Sequence, residues 1–109
     1  MDYLRVRDWS EHQSYRSDRG RPPWIKLHRA LLRSPKWVAL NDLERGQLVC
    51  LWMLAADFDG YIPCCNKLVR RLAMLDGTIE LDRFIETGWL EPEPHSASGV
   101  TLTTTLAST

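Results

Sequence analysis

Residues 59–91 read DGYIPCCNKLVRRLAMLDGTIELDRFIETGWLE, and the order of elements in this stretch decides the fold. Asp59-Gly60 is turn chemistry, and Tyr61-Ile62-Pro63 is a strand too short to stand alone. From about Asn66 to Leu75, helical spacing places Leu68, Leu72 and Leu75 on an inner row. Lys67, Arg70, Arg71 and Met74 follow on the outer row, a basic face. Asp76-Gly77-Thr78 reads as a tight turn, with Gly77 just past the C-cap of one helix and Thr78 as N-cap of the next. A third helix over about 79–87 turns Ile79, Leu81, Phe84 and Ile85 inward and ends at Gly88. Trp89-Leu90 opens a strand, Glu91-Pro92-Glu93-Pro94-His95 breaks it, and Val100, Leu102, Thr104 and Leu106 alternate as an antiparallel return strand over 99–106.

Upstream, Asn41 reads as an N-cap with Glu44 as its partner three residues on, and the helix they start runs to about Asp57. Leu48 to Ala56 is apolar nearly all round, only Trp52 offering a polar tip, which predicts a central helix wrapped by its neighbours. Each such side chain contributes roughly 1.5–3 kcal/mol when buried. An apolar stripe of Ile25, Leu27, Ala30, Leu31 and Leu32 predicts a helix from Trp24, with Lys26, Arg29 and Arg33 outside. Ser34-Pro35 ends it and starts another turn, Ser34 as N-cap and Pro35 at the first helical position. Ser10 to Pro23 is a polar linker with a stiff Pro22-Pro23 end, and Tyr3-Leu4-Arg5-Val6-Arg7 alternates as a short strand with Arg on its outer face.

Helix, very short strand, helix, tight turn, helix, strand, loop, strand is the order of a winged helix-turn-helix: mainly α with a small β-sheet, an α+β class. With 109 residues the chain is too short for two independent cores. It divides into a basic strand-and-linker arm (1–23), the winged helix-turn-helix domain (24–106) and a tail (107–109).

The sequence also resembles the N-terminal winged-helix region of bacteriophage and prophage replication-associated proteins. The resemblance rests on Tyr3 to Trp9, Arg21 to His28, Leu31 to Trp37, Arg45 to Ala56, Asp59 to Pro63 and Leu81 to Glu91, about residues 3–91 in all. It implies action on phage DNA at replication initiation, in the cytoplasm of a bacterial host cell. In that family such a region precedes a longer C-terminal part.

Formal net charge is zero, from 14 Lys+Arg and 14 Asp+Glu, which argues against a strongly basic nucleic-acid binder and against an acidic DNA mimic. The distribution is informative where the sum is not. Residues 1–36 carry Arg5, Arg7, Arg16, Arg19, Arg21, Lys26, Arg29, Arg33 and Lys36 against Asp2, Asp8, Glu11 and Asp18, net +5, and residues 37–109 are net −5. Such asymmetry suggests an arm that contacts a polyanion, or a surface that docks an oppositely charged partner; two solvated faces that happen to segregate are the plain alternative. Eleven of the 14 basic residues are Arg, whose planar fork suits phosphate.

Chemistry-bearing patterns are sparse. Cys50, Cys64 and Cys65 form no C-x-x-C pair, and reduced thiols in a cytosolic setting fit them best. Cys50 reads as core. Neither the cysteines nor His12, His28 and His95 have metal-ligand spacing, so no metal or other cofactor is expected. Asp57 and Asp59 could pass for paired carboxylates, but turn chemistry explains Asp59-Gly60 better, and there is no Gly-rich phosphate loop or nucleophile elbow. An enzyme is therefore not expected. The longest apolar run is about half a membrane span, so no membrane partner is expected either. Trp37, Trp52 and Trp89 read as core, whereas Trp9 and Trp24 flank the arm and are expected to pin it to the domain rather than stack on a partner.

A groove-reading helix and a wing beside phosphate should be basic. Here the third helix offers Glu80, Asp82 and Glu86 against Arg83 alone, and the wing adds Glu91 and Glu93. Contact with duplex or single-stranded DNA is therefore expected at Arg5, Arg7, Arg16, Arg19, Arg21, Lys26, Arg29, Arg33, Lys67, Arg70 and Arg71. The alternative is a small phage-encoded interaction module or inhibitor that docks Glu80, Asp82, Glu86, Glu91 and Glu93 on a basic host protein, such as a nucleic-acid-handling or defence complex. Pairing of the +5 part of one copy with the −5 part of another would give a homodimer.

Overall fold

Leu4 and Val6 alternate with Arg5 and Arg7, and the strand they form, β1 (Tyr3–Val6), buries both apolar side chains and leaves Arg7 exposed. A computed structural model describes residues 2–13 and 22–93 of the chain. Among these, β1 is followed by α1 (Trp9–His12), a 3-10 turn (Arg29–Arg33), α2 (Pro35–Val38), α3 (Asp42–Ala56), β2 (Tyr61–Pro63), α4 (Asn66–Leu72), α5 (Leu81–Glu86) and β3 (Leu90–Pro92). The result is a small α+β fold with a three-stranded antiparallel sheet. The expected return strand over 99–106, the 107–109 tail, and the linker residues Arg16, Arg19 and Arg21 lie outside the described residues.

β1 lies in the middle of the sheet, antiparallel to β2 and β3, with Leu4 opposite Ile62 and Pro92 and Arg5 opposite Tyr61 and Glu91. The arm's strand is thus an integral part of the domain. β3 extends through Glu91 and Pro92, residues expected to break it, because alternation turns the N–H-less side of Pro92 away from β1 while the Glu93 N–H reaches the Tyr3 carbonyl at 3.1 Å.

The capping box at the start of α3 forms as expected: the Glu44 N–H donates to Asn41 Oδ1 at 2.8 Å, and the Asn41 N–H donates to Glu44 Oε1 at 2.9 Å. α3 supplies Leu48, Leu51, Trp52, Leu54 and Ala55 to the core, where they meet Leu4, Val6, Ile62, Val69, Phe84 and Leu90. It is not wrapped on every side, however. Leu43 and Met53 are 69% and 51% exposed, and Cys50 is only half-buried, because the small sheet and short helices cover one side of a 15-residue helix.

Three further expectations are corrected. No α-helix starts at Trp24: residues 25–28 are irregular, the 3-10 turn follows, and Leu27 and Leu32 are exposed. The Gln13 side chain holds the Lys26 peptide from both sides, which fixes this backbone in a non-helical path. α4 stops at Leu72 rather than Leu75, because Met74 takes the left-handed conformation (φ 58°) that was assigned to Gly77. Its buried residue is Val69, with Ala73 packed beside it and Leu72 exposed. α5 starts at Leu81 with Glu80, not Thr78, in the N-cap position, and the Leu81 N–H is satisfied by Asn66 Oδ1 at 3.1 Å.

The turn after α3 shows why a glycine is needed. Asp59 and Gly60 both have positive φ (60° and 97°), and a Cβ at Gly60 would lie 2.7 Å from Trp9 Cγ and Cδ1. Trp9, 7% exposed, thereby pins the arm as expected; Trp24, 56% exposed, does not. No helix of the described residues is long and apolar enough to cross a membrane.

Candidate functional site

Where β1 ends, the Arg7 N–H donates to the Trp89 carbonyl at 3.0 Å, and this places the Arg7 side chain beside the loop that follows α5. Lys36, on α2, reaches the same loop: its Nζ donates to the Gly88 carbonyl at 2.9 Å and stands 4.5 Å from the centre of the Trp89 ring. Gly88 has φ 86°, and the position its Cβ would take is 3.4 Å from Lys36 Nζ and 3.9 Å from an Arg7 guanidinium nitrogen. Two cations from distant parts of the chain thus converge on one glycine.

They border a groove of about 510 Å³ between α1, the 25–34 segment and the tryptophan cluster. Trp37, Trp52 and Trp89 pack with ring centres 5.9–6.3 Å apart, one pair stacked and two edge-on. Trp52 and Trp89 reach the groove, and Lys26 lines it too. On the α1 side His12 and His28 lie with ring centres 5.9 Å apart, tilted by 60°. Asp8 and Glu11 supply the acidic part of the rim. The indole N–H groups of Trp9 and Trp89 are buried with no acceptor among the described residues. A second hollow, bounded by Arg29, Leu32 and Arg33, shares Ala30 with the lining of the groove.

One side-chain amide closes this wall. Gln13, 9% exposed, donates from Nε2 to the Lys26 carbonyl at 2.8 Å and accepts from the Lys26 N–H at 2.7 Å. The clamp joins the two described ends of the chain that flank residues 14–21.

The expected cationic residues therefore have different situations. Arg7 and Lys26 both line the groove, with Arg29 and Arg33 exposed at the second hollow. Arg5 is half-buried at the centre of the sheet, in register between Tyr61 and Glu91. Lys67 and Arg71 are exposed on α4 and line neither hollow. Arg70 is engaged internally: its guanidinium donates to the carbonyls of Asp76 at 2.7 Å and Gly77 at 3.0 Å, closing the turn after α4. Lys36, His12, His28 and Gln13 were not candidates, and nothing in their local sequence marks them, since the chain's path alone brings them together.

The acidic residues divide in the same way. Glu80, Asp82 and Glu86 are exposed, and Glu91 and Glu93 are half-buried in and after β3. The single cation of α5, Arg83, is held by Glu44 at 2.7 Å. The hydrogen bond from Arg83, followed by that from the Asn41 N–H, holds the Glu44 carboxyl below the usual carboxylate range, and Glu44 in turn raises the Arg83 pKa. Cys64 and Cys65 are exposed free thiols, and among the described residues no three His, Cys, Asp or Glu side chains are grouped to hold a metal. Comparison with protein-family models, with curated proteins and with solved structures gives no match for this chain.

Proposed function

We propose that this chain is a nucleic-acid-binding module of the winged-helix kind, associated with phage replication, that acts by binding rather than catalysis in the cytoplasm of a bacterial host. The winged-helix part of the reading rests on the order β2, α4, turn, α5, β3 and on the resemblance of residues 3–91 to phage replication-associated proteins. The observation that carries DNA contact is a groove lined by Arg7, Lys26 and Lys36, with Arg29 and Arg33 lining a second hollow that shares Ala30 with it. Contact is made there, with Arg5, the linker residues Arg16, Arg19 and Arg21, and the α4 cations Lys67 and Arg71 adding to the field, and not through α5. Arg70 is left out of the contact set because its guanidinium closes a turn.

The test is binding of labelled DNA by fluorescence anisotropy at low and raised salt. Salt-sensitive binding whose salt slope falls in Arg29→Ala and Arg33→Ala, and which weakens only slightly at unchanged slope in Lys67→Ala, supports the reading. No binding of duplex or single strand at low salt overturns it.

One observation favours a second reading. With Arg83 held by Glu44, α5 presents Glu80, Asp82 and Glu86 with no competing cation of its own, which suits docking on a basic host protein. Loss of a co-purifying host protein in Glu80→Lys and Glu86→Lys, with DNA binding absent, is the result that would favour it.

A further inference from the structure

We infer that the groove between α1 and the tryptophan cluster takes unpaired nucleotides, so that the nucleic acid bound is a single strand in preference to a duplex. The inference rests on the nucleic-acid reading above and names its substrate class.

The shape is the first argument. A concavity of about 510 Å³ is of the size that holds a small organic group, whereas the phosphates of a duplex lie on a convex cylinder with the base faces stacked inside. The chemistry is the second. One end of the groove has the Arg7 guanidinium and Lys36 Nζ converging on Gly88, a place for a phosphate. The α1 side presents the His12 and His28 rings, tilted against each other rather than stacked face to face, and Leu31 also lines the groove. Flat rings beside a cationic end are how single strands are held without regard to sequence, because every base has a π-face. Asp8 and Glu11 also line the groove and oppose a phosphate, so the phosphate is taken by the Arg7 and Lys36 pair and the base by the histidine rings.

The course of the backbone is the third argument. Arg29 and Arg33 border a second hollow whose lining shares Ala30 with the groove, which puts further cations next to it on the same 3-10 turn. The Gln13 clamp on Lys26 fixes the segment that carries this wall before any ligand arrives.

The experiment measures anisotropy of the full chain with a labelled oligothymidylate of about ten nucleotides and with a duplex of the same length, at one low salt concentration. Tighter binding of the oligothymidylate by about tenfold or more is expected, with Arg7→Ala and His28→Ala each reducing that preference several-fold. Both side chains are exposed, so neither variant threatens the fold, and a thermal melt of each confirms it. Equal binding of strand and duplex, or a preference that His28→Ala leaves unchanged, overturns the inference while leaving nucleic-acid binding in place. Absence of binding to both overturns the inference together with the reading on which it rests.

Discussion

Gly60 stands where two requirements meet, a left-handed backbone and the face of an indole ring. Its φ of 97° is strained for any residue with a Cβ, and that Cβ would lie 2.7 Å from the Trp9 ring. Gly60→Ala is expected to cost about 2–4 kcal/mol, conformational strain and overpacking acting together, read as a lowered urea midpoint at unchanged m. Trp9 would be the side chain displaced, so the same variant should loosen the attachment of α1. Glu44 gives a second residue-scale expectation. Its folded pKa is held below the ordinary carboxylate value because Arg83 and the Asn41 N–H favour the ionised form. A carboxyl with a depressed folded pKa adds stability that is fully present above its unfolded value and is lost as pH falls through the folded one. Thermal midpoints followed from about pH 7 down to about pH 3 should therefore fall less steeply in Glu44→Gln than in the parent, the difference being confined to the range below the ordinary carboxylate pKa.

At the scale of elements, a polar side chain that closes a turn or a clamp is distinguished from one that faces solvent by what its removal does. Gln13→Ala leaves the Lys26 N–H and carbonyl without their partner, and an expected loss of about 1–3 kcal/mol should be concentrated locally. Hydrogen exchange at the Lys26 amide should quicken more than at amides of α3. Arg70→Ala should destabilise by about 1 kcal/mol because two carbonyls of the turn after α4 lose their donor, while Arg71→Ala, one residue on and exposed, should leave the melting temperature unchanged. The pair also explains what was legible in the sequence. The Asn41 and Glu44 capping box is local, its partners three residues apart, and so is the turn at Asp59-Gly60; both could be read directly. Arg70 and Arg71 look alike on a helical wheel, and only the turn that folds back at Asp76 and Gly77 separates them. The stripe from Ile25 to Leu32 has helical spacing, yet a glutamine 13 residues from Lys26 overrides it. The placing of β1 between β2 and β3, the Glu44–Arg83 pair across 39 residues and the convergence of Arg7 and Lys36 on Gly88 are long-range pairings that no local pattern encodes. The candidate groove belongs in part to this class, which is why no local pattern marks His12, His28 and Lys36 as contact residues while the basic arm and the 26–33 stripe mark Arg7 and Lys26.

For the molecule as a whole, zero net charge conceals two populations of cations, those engaged by the fold and those left at the surface. Arg45 is tied to carbonyls of Trp37 and Val38, Arg70 to its turn and Arg83 to Glu44, whereas Lys36 gives Gly88 one of its three N–H donors and lines the groove. Arg29 and Arg33 have no such bond among the described residues, and they sit on a turn rather than in the sheet. A polyanion held by direct contact releases counterions, so the logarithm of its affinity falls with the logarithm of salt by about 0.7 for each phosphate neutralised on a single strand, or about 0.9 on a duplex. A charge that acts only through the general field changes affinity at each salt concentration but releases no additional condensed counterion. Arg29→Ala and Arg33→Ala should therefore each lower the salt slope by close to one contact. Neutralising Glu80, Asp82 and Glu86 together as glutamines should raise affinity modestly at low salt with the slope unchanged, and that gain should vanish once the screening length falls to several ångströms. A slope that steepened in the triple glutamine variant would mean that α5 had become a contact surface, and would return the binding site to the helix after the turn.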